Sequence, residues 1–425
     1  MKAIKISKKF KLMLIALAII FKAFFSSITP LSIDFINIAL SASWHKEGLA
    51  YYGPYTLSVY IISLFHKLWM LIPINPKPFY AMLSSKELFQ FSLKALLATF
   101  MLKLPLLILD ILTGVFIYAI VFYLRNSKPL ALSALMLWLL NPYVTIVVEM
   151  DGTMDIISVC LLSISVFLFL KNKQILSAMF LSIATMARFY PLALFPFFLI
   201  ILAKNKEIKN SIVFFIGYII PILIVLSLFI AKYGLGFLWK VYNLPLESAQ
   251  AIPEFTWFFG HIAYGFVFPK SPISIVATLY VLFAFIAYKL WNSKHEVLLE
   301  AILCILISYI AFSHWNRYYT TWIIPFLTID YALHKNESKP GVYPALFILF
   351  FFSLFLYNAV AWWFSSLLFI PPYNQALEYL TSMIVGFYKW AGPGALFHTF
   401  ARSLLAGVSI VYLAKVILRN FRKDF

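Results

Sequence analysis

Charge is scarce in this chain, and negative charge is scarcest. Only 12% of its 425 residues are charged, and 16 acids stand against 34 lysines and arginines. A soluble chain of this size carries roughly 25% charged residues. With 63% of its residues hydrophobic, this one has more apolar surface than a water-soluble core can bury. Cysteine is nearly missing: Cys160 and Cys304, the two present, lie in apolar runs without metal-ligand spacing and read as small core hydrophobes. The nucleotide-binding glycine patterns GxxxxGK[ST] and GxGxxG are lacking. So are the HExxH and CxxC metal signatures and the GxSxG hydrolase elbow. No linker or composition break divides the chain, which predicts a single domain over residues 1–425.

What is present is a succession of long apolar runs. They do not alternate with period two, which argues against a membrane barrel and for helices. The expected fold is all-α, a polytopic transmembrane bundle of about 12 spans. They fall near 12–28, 104–124, 129–148, 156–170, 174–187, 190–203, 211–231, 272–290, 297–313, 319–333, 342–363 and 395–418. The net charge of +18 sits in short clusters between these runs. Such clusters mark cytoplasmic loops, so the charge reports membrane topology and not nucleic-acid binding. Arg125 and Lys128, Lys171 and Lys173, Lys204 to Lys209, Lys289 and Lys294, Lys335 and Lys339, and Arg419 to Lys423 all fall on one side. Both termini are then cytoplasmic. Residues 174–203 are read as two short helices broken at Arg188-Phe-Tyr-Pro191, because one long crossing would move the Lys204 cluster outside. Segments 30–103, 232–271 and 364–394 lie on the other side. In the first of these, Thr56–Pro73 and Leu88–Phe100 read as interfacial helices or an extra pair of crossings.

Under this topology several polar groups share the outer face. They are Asp34, the run Glu149-Met-Asp151-Gly-Thr-Met-Asp155, Arg188, the run His314-Trp-Asn-Arg317-Tyr318-Tyr319, and Lys103 with Asp110. A charge at membrane depth costs about 2.5–3.5 kcal/mol even on insertion scales, so such groups are paired or functional. Each also has a plainer reading. Asp34 is a solvated loop carboxylate, Asp151 or Asp155 caps a helix, and Asp110 pairs with Lys103 or a buried arginine. Arg188 and Arg317 snorkel, and His314 is a satisfied polar residue. Their common side is the argument against those readings. Arginine forks match phosphate oxygens, a carboxylate can take a proton from a hydroxyl, and polar and aromatic groups suit a sugar.

The motifs Asn141-Pro142, Met150-Asp151-Gly152-Thr-Met-Asp155 and Ala187-Arg188-Phe-Tyr-Pro191 with Pro196 resemble the core of the GT-C glycosyltransferase superfamily. They are similar to the polyprenyl-phosphate-mannose-dependent mannosyltransferases, including the lineage of the first GPI mannosyltransferase. Lys103-Leu-Pro105 with Asp110 and Gly114 resembles the second span of those proteins. Tyr51-Tyr-Gly-Pro54-Tyr55 resembles their first loop. Arg317-Tyr318-Tyr319 with Trp322 and Pro325 resembles a late helix start. The likeness runs in order over residues 30–330.

The resemblance implies inverting sugar transfer on the non-cytoplasmic face from a polyprenyl-phosphate donor to a glycan or glycolipid acceptor. Asp34 takes the place of the general base. The commonest pattern has two acids there; Ser32 replaces the first, which implies a one-carboxylate mechanism. Arg188, Arg317 and Lys103 are then expected to meet the donor phosphate. Asp151, Asp155, His314 and Tyr318 are expected to meet sugar or acceptor. No metal or cofactor is required, because arginines supply the electrostatics. A secondary transporter or lipid flippase and a non-catalytic membrane assembly factor are the competing readings.

Overall fold

The structure, a computed structural model, describes residues 8–28, 61, 64, 93–205, 207–233, 275–289, 294–312, 317–334, 343–348 and 395–421. Among them every regular element is a helix. Four helices are long and apolar enough to cross a membrane: Lys9–Ser27, Phe100–Arg125, Lys128–Met150 and Ile208–Leu228.

Helix α1 covers Lys8–Ile28 and α2 covers Leu93–Arg125. Helix α2 begins earlier than the span expected near 104–124 and takes in part of Leu88–Phe100, which the sequence reading gave as an interfacial helix or one of an extra pair of crossings. Leucine, alanine and lysine dominate Leu93–Lys103 and favour helix strongly. Pro105 removes one backbone bond without ending the helix. At 33 residues, α2 is about 50 Å long and outreaches a hydrocarbon layer of about 30 Å.

Helix α3, Lys128–Leu139, is the first part of the apolar span Lys128–Met150, which matches the span expected near 129–148 but breaks within it at Leu140-Asn141. Asn141 restarts the chain: its side chain accepts from the backbone N–H groups of Tyr143 (2.9 Å) and Val144 (3.4 Å). Pro142 needs no donor partner at a first helical position. A single turn, Pro142–Val144, then widens into a π-helix over Thr145–Met150. Gly152 follows at φ 76°, a conformation that costs any residue with a Cβ about 1–2 kcal/mol. This turn swings the chain into α4, Asp155–Leu170.

Helix α5 covers Gln174–Ala187, and Arg188 then adopts an extended conformation. A 3₁₀ turn over Tyr190–Ala193 leads into α6, Phe195–Lys204. The chain reverses here, as the sequence reading expected. Serine contacts place α5 antiparallel to α4: Ser158 Oγ donates to Ala184 O at 3.0 Å, and Ser165 Oγ to Ser177 O at 2.8 Å. Phe198 of α6 stands 5.0 Å from Phe169 at the far end of α4, so α6 has travelled back. Helix α7, Ile208–Tyr233, packs on α5 across Gly217, where a Cβ would sit 3.0 Å from Ile175 O. Its other face carries exposed Ile208, Ile212, Phe215, Ile220 and Leu223, a stripe suited to lipid.

Helices α8 (Ile275–Lys289) and α9 (Lys294–Phe312) follow, then a 3₁₀ turn over Arg317–Trp322 and α10 (Ile324–His334). After a short helix at 343–348, α11 spans Ala395–Phe421. The alternation of helix directions creates two ends. One gathers the end of α1, the start of α4, the end of α5 and the turn before α10. The other gathers the ends of α2, α10 and α11 and the start of α9. The expected outer segment 364–394, all of 232–271 beyond the end of α7, and nearly all of 30–92 lie outside the described residues.

Candidate functional site

A lysine in the middle of an apolar helix needs a partner at membrane depth. Lys22 of α1 has two. Its Nζ lies 2.9 Å from Asp110 Oδ2 on α2 and 3.1 Å from Glu149 Oε2 on the π-helix. All three side chains are 0% exposed. This corrects the expectation that Asp110 pairs with Lys103 or an arginine. The close packing of α2 on α3 at Gly114, where a Cβ would fall 2.9 Å from Leu135 Cδ1, brings in Trp138. Its indole N–H donates to the backbone carbonyl of Asp110 at 3.0 Å.

Lys103, two turns earlier on α2, is also buried. It donates to the backbone carbonyls of Glu149 (2.9 Å) and Met150 (2.7 Å), the last residues of the π-helix. Asp151 and Glu149 supply the neighbouring negative charge. A π-helix leaves its final carbonyls without partners further along the chain, and the ammonium group satisfies two of them. Asp151 is buried beside it.

One turn away, Asp155 opens α4. It does not cap the helix, and neither does Asp151: the N-cap position is Met154 and makes no side-chain cap bond. The Asp155 carboxylate instead ion-pairs with Arg188 Nε through Oδ1 and accepts the indole N–H of Trp322 on Oδ2 at 2.8 Å. Arg188 is 4% exposed and is tied inward, the opposite of snorkelling. Trp322 lies between two rings, stacked on Tyr190 at 4.2 Å and 10° and on Tyr319 at 4.2 Å and 27°. Tyr309 of α9 stands 6.0 Å from it. The extended Arg188 and the 3₁₀ turn after it place Tyr190 for this stack. Three motifs distant in sequence thus meet: the Asp151–Asp155 turn, the Arg188–Pro191 break and the Arg317–Trp322 turn.

Of the residues chosen from sequence, Lys103, Asp151, Asp155 and Arg188 gather at this end. Tyr318 is buried in the Arg317–Trp322 turn, which Arg317 opens. Asp34 and His314 lie outside the described residues. Sequence reasoning missed Lys22 and left Glu149 and Trp322 out of the site. A signal for Lys22 existed: a lysine well inside α1 facing one acid in the next span.

The other end holds a second polar group. Arg419 of α11 ion-pairs with Glu300 of α9 and, at 3.2 Å, with Asp330 of α10. Asp330 also accepts from Tyr343 (2.6 Å) and Tyr412 (2.7 Å) and pairs with His334 Nδ1 at 3.0 Å. Ligand atoms of Glu300, Asp330 and His334 lie within 4.8 Å of one another, close enough for a metal ion. Arg419 contacts both carboxylates, and the Tyr343 and Tyr412 hydroxyls donate to Asp330, so the arrangement works as an interhelical tie. Arg125 strengthens the same end, with Nη2 3.2 Å from Glu296 Oε1. No protein-family model matches this chain, and no curated protein matches its sequence.

Proposed function

We propose that the chain is a multi-pass membrane glycosyltransferase of the GT-C kind, built from about 12 spans as one domain. In this reading both termini are cytoplasmic and the site faces the opposite side. A sugar, with mannose favoured by the resemblance, passes from a polyprenyl-phosphate donor to a lipid- or glycan-linked acceptor. The observation that carries the proposal is the meeting of Asp155, Arg188 and Trp322. These residues come from the three motifs on which the family resemblance rests, and nothing in their sequence spacing requires them to touch.

The chemistry follows from the groups. Asp34 takes the proton of the acceptor hydroxyl as its oxygen attacks the anomeric carbon. The bond to the lipid phosphate breaks, and Arg188 with Arg317 stabilises the phosphate as it leaves. Asp155 and Trp322 hold the guanidinium of Arg188 in a dry setting where its charge acts at full strength. Lys103 and Asp151 set the position of the turn beside it. His314 and Tyr318 are assigned to sugar or acceptor.

The secondary transporter or flippase remains the second reading, favoured by one observation: the Lys22–Asp110–Glu149 group is fully buried within the helices. Purified protein incubated with a polyprenyl-phosphate sugar and glycan acceptors distinguishes the two. Transfer of labelled sugar supports the enzyme, and Asp34→Asn is expected to lower turnover by about 10²–10⁴. Movement of the intact lipid donor across vesicle membranes without transfer would favour the transporter.

A further inference from the structure

The buried charges near Lys22 do not balance. Arg188 is matched by Asp155, and Lys103 has Asp151 beside it. Lys22 is left with two carboxylates, both contacting the same nitrogen. Two ionised carboxylates at such a separation repel strongly, and low dielectric magnifies the repulsion. A hydrogen-bond deficit coincides with the charge excess. Asp110 Oδ1 is fully buried and has no donor among the described residues. An ionised carboxylate can only accept, whereas a protonated one donates. Polar groups on four helices stand around Asp110 among the described residues. Lys22 comes from α1, Thr113 from α2, Trp138 from α3 and Cys160 from α4. The Thr113 hydroxyl donates to Leu109 O and the Trp138 N–H to Asp110 O.

We propose that Asp110 and Glu149 form a proton-binding site within the membrane-embedded helices. One carboxyl keeps a proton taken from water and donates it to the other, and Lys22 neutralises the single negative charge that remains. Glu149 also offers its main-chain carbonyl to Lys103 at 2.9 Å. Proton occupancy is thereby linked to the turn that carries Asp151 and Asp155. The proposal does not rest on glycosyl transfer.

Infrared spectroscopy of the purified full-length protein in lipid tests it directly. At neutral pH the wild type is expected to show a carboxylic-acid carbonyl band that shifts in heavy water. Asp110→Asn and Glu149→Gln should each remove that band, because one carboxylate alone beside Lys22 stays ionised. Carboxyl-¹³C labelling of aspartate or of glutamate in the wild type assigns the band even where a variant fails to fold. A wild-type spectrum without an acid band overturns the proposal. So does a band that survives both substitutions, or one that neither label shifts.

Discussion

Replacing Lys22 with methionine removes the cation and keeps the volume. Its two carboxylate partners, Asp110 and Glu149, then remain at 0% exposure with no counterion on α1. Leaving a buried charge uncompensated costs about 3–5 kcal/mol. The alternative is for the remaining carboxylate to take up a proton. From an unfolded value near 4, that costs about 4 kcal/mol at pH 7. The two routes give the same magnitude, so Lys22→Met should lose about 3–5 kcal/mol at neutral pH. By the second route the native state of the variant holds a proton that the unfolded chain releases. Its stability therefore falls as pH rises, and the deficit shrinks by about 1.4 kcal/mol per unit on going from pH 7 toward pH 5. Cys160 and Cys304 are both buried, so labelling with a thiol-reactive dye during denaturation reports unfolding. The combined variant Lys22→Met, Asp110→Asn, Glu149→Gln carries no charge and should regain most of the loss, since neutral replacement of a buried ion group is often tolerated. If Lys22→Met unfolds within about 0.5 kcal/mol of wild type from pH 5 to 8, the buried triad is not what holds α1 in place.

Four further outcomes are expected. In Asp155→Asn the Arg188 guanidinium loses its buried counterion, so stability should fall by about 3–5 kcal/mol and donor affinity with it; equilibrium binding of a polyprenyl-phosphate sugar beside a denaturation curve measures both. Trp322→Phe keeps the stack but deletes the N–H to Asp155, a charge-assisted bond worth about 1.5–3 kcal/mol, and unchanged stability would discount that bond. Gly152→Ala should cost about 1–2 kcal/mol from its positive φ alone, read as a lower thermal midpoint. Cysteines at the exposed positions Lys128 and Lys173 should react with an impermeant reagent from the cytoplasmic side only; labelling from opposite sides would invert α4.

The helices were legible because long apolar runs alternate with lysine-bearing turns. The break in 174–203 was legible from Pro191 and from the charge of Lys204. The restart at Asn141 was not. A hydropathy run sees Leu139 to Val148 as continuous, whereas the break depends on one side chain accepting two backbone N–H groups. The extension of α2 back to Leu93 was missed for a related reason: Lys94 and Lys103 made that stretch look interfacial. The gathering of Lys103, Asp151, Asp155 and Arg188 followed from side-of-membrane reasoning alone. Their partners did not, because a side assignment gives depth and not rotation about each helix axis. Asp110 was therefore matched to the nearest lysine in sequence, Lys103, when helix packing turns it toward Lys22. Arg419, Asp330 and Glu300 were hidden by the same reasoning, which treats charges at the cytoplasmic side as topology signals.

The two polar ends differ in a way that bears on function without any appeal to family. At the far end one aspartate, Asp330, receives Arg419, His334, Tyr343 and Tyr412. Those partners fill the acceptor sites of one carboxylate, and they come from α10, α11 and the short helix at 343–348. A tie of that kind spends its hydrogen-bonding capacity on holding helices together. At the near end one lysine serves two carboxylates, as Arg419 does at the far end, but here Asp110 Oδ1 has no donor among the described residues. The backbone there is also irregular, with a π-helix, a glycine at positive φ and an extended arginine within a few turns of one another. Each feature costs free energy that a purely structural junction could avoid. Persistence of several such costs at one place is what a site shaped to bind and react requires, and it supports placing the proposed site at the end where Arg188 and Asp155 meet.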